Sequence, residues 1–194
     1  MNYKKSPYLC RSWGIPEPTE DELKTKYPSK KLQNNKDYKM MNDVELVLRF
    51  FAYRQRLSHQ KGGLNVYLDS FLKYGNSWDK DVRDHLEDLF VKTIQLVFEL
   101  FGEKAFWLWR PLNKKWLWLQ RPTTVVYDPI MYAFSRHIED REEIAAAKGI
   151  FQSEIIKFYE TNYSNFEGRY TNLSDINKRN DLFDKFIIKN LRKL

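Results

Sequence analysis

Apolar residues recur at helical spacing in six segments of this chain. The first opens at Asn42, with Val44, Val47, Leu48 and Phe51 on one face and Leu46 and Phe50 widening the stripe. Asn42 has the chemistry of a helix cap, and Glu45 stands three residues on, where it can reach back to the cap. A stripe that wide predicts a central helix. After the Gly62-Gly63 break, Leu64, Tyr67, Leu68, Phe71 and Leu72 form a second face, closed by Gly75-Asn76. Ser77 or Asp79 then starts the strongest periodic run, Val82, Leu86, Leu89, Phe90, Thr93, Ile94, Val97, Phe98 and Phe101. It covers roughly five helical turns and has Gly102 where a left-handed cap belongs.

Three more helices follow the same logic. Asp128 before Pro129 reads as a cap and first helical position, leading into Ile130, Met131, Phe134 and Ile138. A segment from about Arg141 to Tyr159 buries Ile144, Ile150, Phe151, Ile155 and Phe158, with Gly149 marking a bend or a close contact. Ser174 is the expected cap of the last helix, bearing Ile176, Leu182, Phe183, Phe186, Ile187 and Leu191. Lys189, Arg192 and Lys193 fall near its end, where cations suit the helix dipole.

Between the third and fourth helices, at about residues 106–121, the period changes. Phe106-Trp107-Leu108-Trp109-Arg110 and Trp116-Leu117-Trp118-Leu119 flank Pro111-Leu112-Asn113-Lys114-Lys115, the pattern of an aromatic-rich β-hairpin. Residues 1–41 show neither period. Pro7, Pro16, Pro18 and Pro28 interrupt them, an acidic stretch at Glu17–Glu22 precedes a basic one at Lys24–Lys39, and Thr19 with Glu22 could cap a short helix. The expectation is an extended arm, anchored by Tyr8, Trp13 and Ile15; a mobile arm is the competing reading. The fold class predicted is therefore mainly α: a single-domain bundle of about six helices at 42–194, with one hairpin insertion and an extended N-terminal arm at 1–41.

Composition agrees with a packed domain. A chain of 194 residues with 42% hydrophobic and 16% aromatic content is long and apolar enough to bury a core. The single Cys10 excludes an intramolecular disulfide and a cysteine metal cage, and suits a reducing compartment. Lys4 and Lys5 have no apolar segment behind them, so no secretory signal is read and a cytoplasmic location is expected. A net charge of +7 favours polyanions or an acidic partner, although the basic residues are dispersed among 26 acidic ones and most read as a solvated surface.

Two features invite functional readings. Arg49 lies in the middle of the first apolar stripe, where a guanidinium needs a partner. It either pairs with a carboxylate or helix end of its own fold, or reaches an anionic ligand or partner domain. Trp107, Trp109, Trp116 and Trp118 either pack the hairpin or line an aromatic binding patch.

Asp43-Val44-Glu45-Leu46-Val47-Leu48-Arg49-Phe50-Phe51-Ala52 also resembles the E-L-V-L-R-F-F-A signature that opens the C-terminal helical half of the GmrSD-like modification-dependent restriction enzymes. Gly63–Leu72 is similar to that family's next short helix, and Phe101–Phe106 to its F-G-x-x-A-F corner. Phe166–Asn172 with Ile176 and Arg179 is similar to its closing R-x-T…I-x-x-R pattern. The likeness spans roughly residues 40–106 and 128–188. The family's N-terminal half is a ParB/sulfiredoxin-like nucleotide-hydrolysing domain, and an HNH nuclease domain often follows the helical half. Neither is read here. Ser58–Gly63 is the nearest Gly-rich segment, and no strand precedes it. What the resemblance implies is a helical scaffold without either enzyme, in prokaryotic defence, with a ParB/sulfiredoxin-like nucleotide-binding protein or domain as partner. Its closing pattern singles out Arg169, Thr171, Asn172 and Arg179 around a loop entering a helix, an arrangement suited to a phosphate or carboxylate. The plainer reading has Thr171 and Asn172 shaping the turn and both arginines tying helices together.

No catalytic constellation is read. His59, His85 and His137 are far apart, so no metal site is expected. No nucleophile elbow, Walker loop or Rossmann fingerprint occurs, and no cofactor is called for. Glu87-Asp88, Glu139-Asp140 and Glu142-Glu143 read as solvated pairs on polar helix faces, and Cys10 has neither a base nor an ordered setting. The expectation is a non-enzymatic scaffold or partner-docking module. The alternative is a DNA- or RNA-binding module using the Lys24–Lys39 arm, the tryptophans and the C-terminal Lys/Arg cluster.

Overall fold

A computed structural model describes residues 7–25, 27–55, 63–168 and 172–193. The chain is mainly helical, with one two-stranded antiparallel hairpin. Its contacts fall into two compact units, Met1–Gln95 and Leu96–Leu194.

The first unit opens with α1 (Pro7–Trp13), α2 (Glu20–Thr25), α3 (Lys30–Asn34) and α4 (Lys36–Lys39). The N-terminal segment is thus four short helices rather than an extended arm. Its prolines punctuate helices instead of preventing them: Pro7 takes the first position of α1, where a missing N–H is harmless, and Pro16, Pro18 and Pro28 lie between helices. Caps define the short pieces. Thr19 and Glu22 form the expected reciprocal box, the Thr19 amide donating to Glu22 Oε2 at 2.6 Å and the Glu22 amide to Thr19 Oγ1 at 3.3 Å. Ser29 and Asn35 cap α3 and α4. Helices this short are marginal alone; Cys10, Ile15 and Leu32 form a small core, joined by Trp13 and Tyr38, that holds α1, α3 and α4.

Next come α5 (Asn42–Gln55), α6 (Leu64–Gly75) and the greater part of α7 (Lys80–Phe101), which continues into the second unit. Asn42 is the first helical residue of α5, not its cap. Its side-chain Nδ2 donates to Asp37 Oδ1 at 2.7 Å, and the Glu45 carboxylate faces Arg49. Within the unit, Tyr67 of α6 donates its hydroxyl to the Ala52 carbonyl of α5. Val82, expected in the core, is 45% exposed.

In the second unit Gly102 takes the left-handed conformation expected of it, with φ of 61°. The hairpin is β1 (Trp109–Leu112) and β2 (Lys115–Trp118), paired Trp109 to Trp118 and Pro111 to Trp116. Asn113 and Lys114 both have positive φ, 51° and 64°, as a two-residue turn matched to strand twist requires. α8 (Thr124–Arg136) starts four residues before the expected Asp128. Thr123 caps it, and Pro129 lies inside, forgoing one backbone bond. Val126 and Tyr127, in the added turn, are fully buried and carry the helix back into the core. The segment predicted as one helix from Arg141 to Tyr159 is two, α9 (Arg141–Ala146) and α10 (Lys148–Asn162). They part at Ala147, not at a bend on Gly149. α11 (Leu173–Leu191) is capped by Asn172 instead of Ser174. Phe151, Phe158, Tyr159, Phe166, Phe183 and Phe186 pack edge-on or tilted around the α10–α11 contact.

Candidate functional site

Arg49 is 5% exposed. Its Nη1 lies 3.2 Å from Glu45 Oε1, one helical turn back, and its guanidinium sits 5.6 Å from the centre of the Tyr53 ring. Of the two readings of Arg49, the structure displays the pair within the fold. Arg179, 4% exposed, donates from Nη1 to the Asn165 carbonyl at 3.3 Å and ties α11 to the turn before it. Asn172 serves as a helix cap, its Oδ1 accepting from the Asp175 amide at 2.9 Å. Arg169 and Thr171 lie outside the described residues, as does His59. The two described members of the closing constellation therefore have structural duties.

Trp109 and Trp118 lie against α10. Trp109 donates from Nε1 to Glu160 Oε1 at 3.0 Å. The Trp118 ring meets Tyr159 at 6.1 Å and Trp109 at 5.3 Å, with Lys104 Nζ 5.9 Å from its centre. Trp107 is half-buried. Trp116 meets Tyr163 at 5.7 Å and keeps 36% of its surface exposed, beside exposed Lys114 and Lys115. Hairpin packing thus occupies Trp109 and Trp118, and Trp116 is the member turned most toward solvent.

The feature that periodicity did not foresee is a groove in the first unit, among α5, α6 and the start of α7. It encloses about 270 Å3. Val44, Val47, Leu48 and Phe51 line it from α5, Phe71 and Leu72 from α6, and Trp78, Arg83 and Leu86 from the far side. The α5 stripe therefore has two destinations. Leu46 and Phe50 are buried, and Phe50 packs on Phe90 with ring centres 5.3 Å apart. The Val44–Leu48 edge is only half-buried. Phe71 and Trp78 meet edge to face at 5.3 Å and stiffen the far wall. At the mouth, Leu72 is 45% exposed. Arg83 is the one charged residue among those lining the groove. The sequence signal was the width of the stripe itself, six apolar residues in the eight from Val44 to Phe51, broader than one packing partner covers.

Three titratable groups have local explanations. His137 lies between two carboxylates, its Nδ1 3.3 Å from Asp140 Oδ2 and its Nε2 3.0 Å from Asp184 Oδ1, linking the turn before α9 to α11. Burial first, then the charges of Asp43 and Glu17, push the Cys10 thiol up to about 11, which disfavours the reactive thiolate. Burial likewise raises the Tyr159 phenol. Among the described residues no three of His, Cys, Asp and Glu gather closely enough to share a metal ion. No helix among them is long and apolar enough to cross a membrane. The chain matches no protein-family model, no curated protein and no solved structure.

Proposed function

We propose that this chain is a non-catalytic helical docking module whose α5–α6–α7 groove receives an amphipathic helix of a partner protein. The observation that carries the reading is an apolar groove walled by Val47, Phe51 and Phe71, with Leu72 half-exposed at its mouth. Exposed apolar side chains converging on a concave face are what a helix-in-groove partner buries. Charge selects the occupant. With Arg83 at the rim and no carboxylate in the lining, the partner helix would present an apolar i, i+3, i+4 face flanked by an acidic residue.

The resemblance of Asp43–Ala52 to the opening of the GmrSD-like helical half gives this reading its context. The partner is then a ParB/sulfiredoxin-like nucleotide-binding protein, and the setting a cytoplasmic, prokaryotic defence system. The test is co-expression with a ParB/sulfiredoxin-like protein encoded beside this chain, followed by co-purification. Wild-type protein should retain the neighbour, and Leu72→Asp should release it while keeping the helical circular-dichroism signal, because Leu72 is a rim residue. A monomer that ignores every such neighbour, or retention unaffected by Leu72→Asp, would defeat the proposal.

A second reading, direct nucleic-acid binding, draws on Trp116, exposed beside Lys114 and Lys115. An exposed aromatic ring close along the chain to two lysines suits an unpaired base and its phosphate. Affinity for single-stranded DNA or RNA should then fall steeply with salt, and no binding at low ionic strength would exclude it.

A further inference from the structure

The second unit carries a groove of different character between α10 and α11. Along α10, Glu154, Lys157 and Thr161 are spaced three and four residues apart; along α11, Lys185 and Lys189 are four apart. Each set therefore lines one side of its helix. The two sides border a hollow of about 200 Å3, walled by Phe158, Leu182 and Phe186. Glu154 is the one acidic residue of the lining, and Lys193 already holds it, Nζ to Oε2 at 3.2 Å. The bond to Lys193 first, then the charges of Lys193, Lys157 and Lys189, lower the Glu154 carboxyl below its ordinary range, so these ammonium groups act together on one anion. Among the described residues no carboxylate lies within ion-pairing distance of Lys157, Lys185 or Lys189. The dipole at the end of α11 explains a lysine at 189. It does not explain Lys185, more than a turn from that end, or Lys157 on the facing helix.

We infer that this groove binds a small organic phosphate, with Lys157, Lys185 and Lys189 facing its phosphate groups and the Phe158–Leu182–Phe186 wall taking its apolar body. Three ammonium groups with no ion-pair partner among the described residues exceed what one carboxylate ligand would neutralise, whereas a polyphosphate chain presents several charges at once. The hollow is confined between two helices, which fits a compact ligand better than a continuous duplex backbone.

Isothermal titration of the full chain with ATP and with inorganic tripolyphosphate, in moderate salt, tests the inference. Saturable one-site binding is expected, tighter for ATP because its base and sugar meet the apolar wall. Lys185→Glu with Lys189→Glu should weaken ATP binding at least ten-fold. Lys157→Gln, a single uncharged change on the opposite helix, should weaken it several-fold and guards against misfolding of the double variant. Lys36→Glu with Lys39→Glu, in the other unit, should leave it unchanged. Absence of binding, equal losses in the Lys36/Lys39 variant, or full competition by duplex DNA would each overturn the inference. ATP binding no tighter than tripolyphosphate would remove the organic body from it.

Discussion

Replacing Arg49 separates a structural guanidinium from one that waits for a ligand. The side chain is 6% exposed, whereas its partner Glu45 is 49% exposed. The two ends of this pair therefore differ in what they lose. Arg49→Ala removes two buried methylenes, about 1.5 kcal/mol of packing, and the contact with the Tyr53 ring, about 1 kcal/mol more. The expected loss is about 2.5 kcal/mol, a large share of a domain's stability. Glu45→Gln discharges a group already half in water and should cost less than about 1 kcal/mol. Arg49→Met keeps the apolar stem and removes the buried charge, so it should recover most of the stability lost by the alanine variant. Urea denaturation reads all three, provided the slope stays constant across variants. If Glu45→Gln were as damaging as Arg49→Ala, the ion pair and not the packing would carry the energy. If Arg49→Met were fully stable yet failed to retain a partner that wild type retains, Arg49 would be a contact residue and the structural account would fail.

Two further outcomes follow from local geometry. Lys114 holds φ at 64°, a conformation that costs an L-residue roughly 1–2 kcal/mol. Lys114→Gly should therefore raise stability by about 0.5–1 kcal/mol after glycine's own entropy is counted. Thermal melting would show it, and a lowered midpoint would contradict the turn assigned to the hairpin. Hydrogen bonds from Ser29 first, and then from the Thr19 amide, bring the Glu22 carboxyl down to about 2. Because the folded value is depressed, the α2 cap contributes stability above the ordinary carboxyl range and loses it as pH falls toward 2. A carboxyl NMR titration of Glu22 with its midpoint at the usual 4.5 would show that the capping box does not form in solution.

What the amino-acid order determined by itself was whatever repeats over several turns or strands. The periods of α7 and α11 continue long enough to fix their existence, and the Trp-Leu-Trp runs flanking residues 111–115 fix that of the hairpin, although Pro111, Leu112 and Lys115, read as the connection, lie in its strands. The Thr19–Glu22 box was legible because both partners lie within one turn. Tertiary structure decided the rest. The four N-terminal helices are too brief to show a period, and α1, α3 and α4 are held where Cys10, Ile15 and Leu32 meet. Asn42 had the chemistry of a cap, but Asp37 was near enough to claim its amide. The two candidate sites divide the same way. The stripe on α5 fixes which residues are apolar, yet only the placement of α6 and Trp78 leaves one edge of it open as a groove. The lysines of α10 and α11 are ordinary surface charges until the two helices pack side by side, because spacing along one helix carries no information about the helix that will face it.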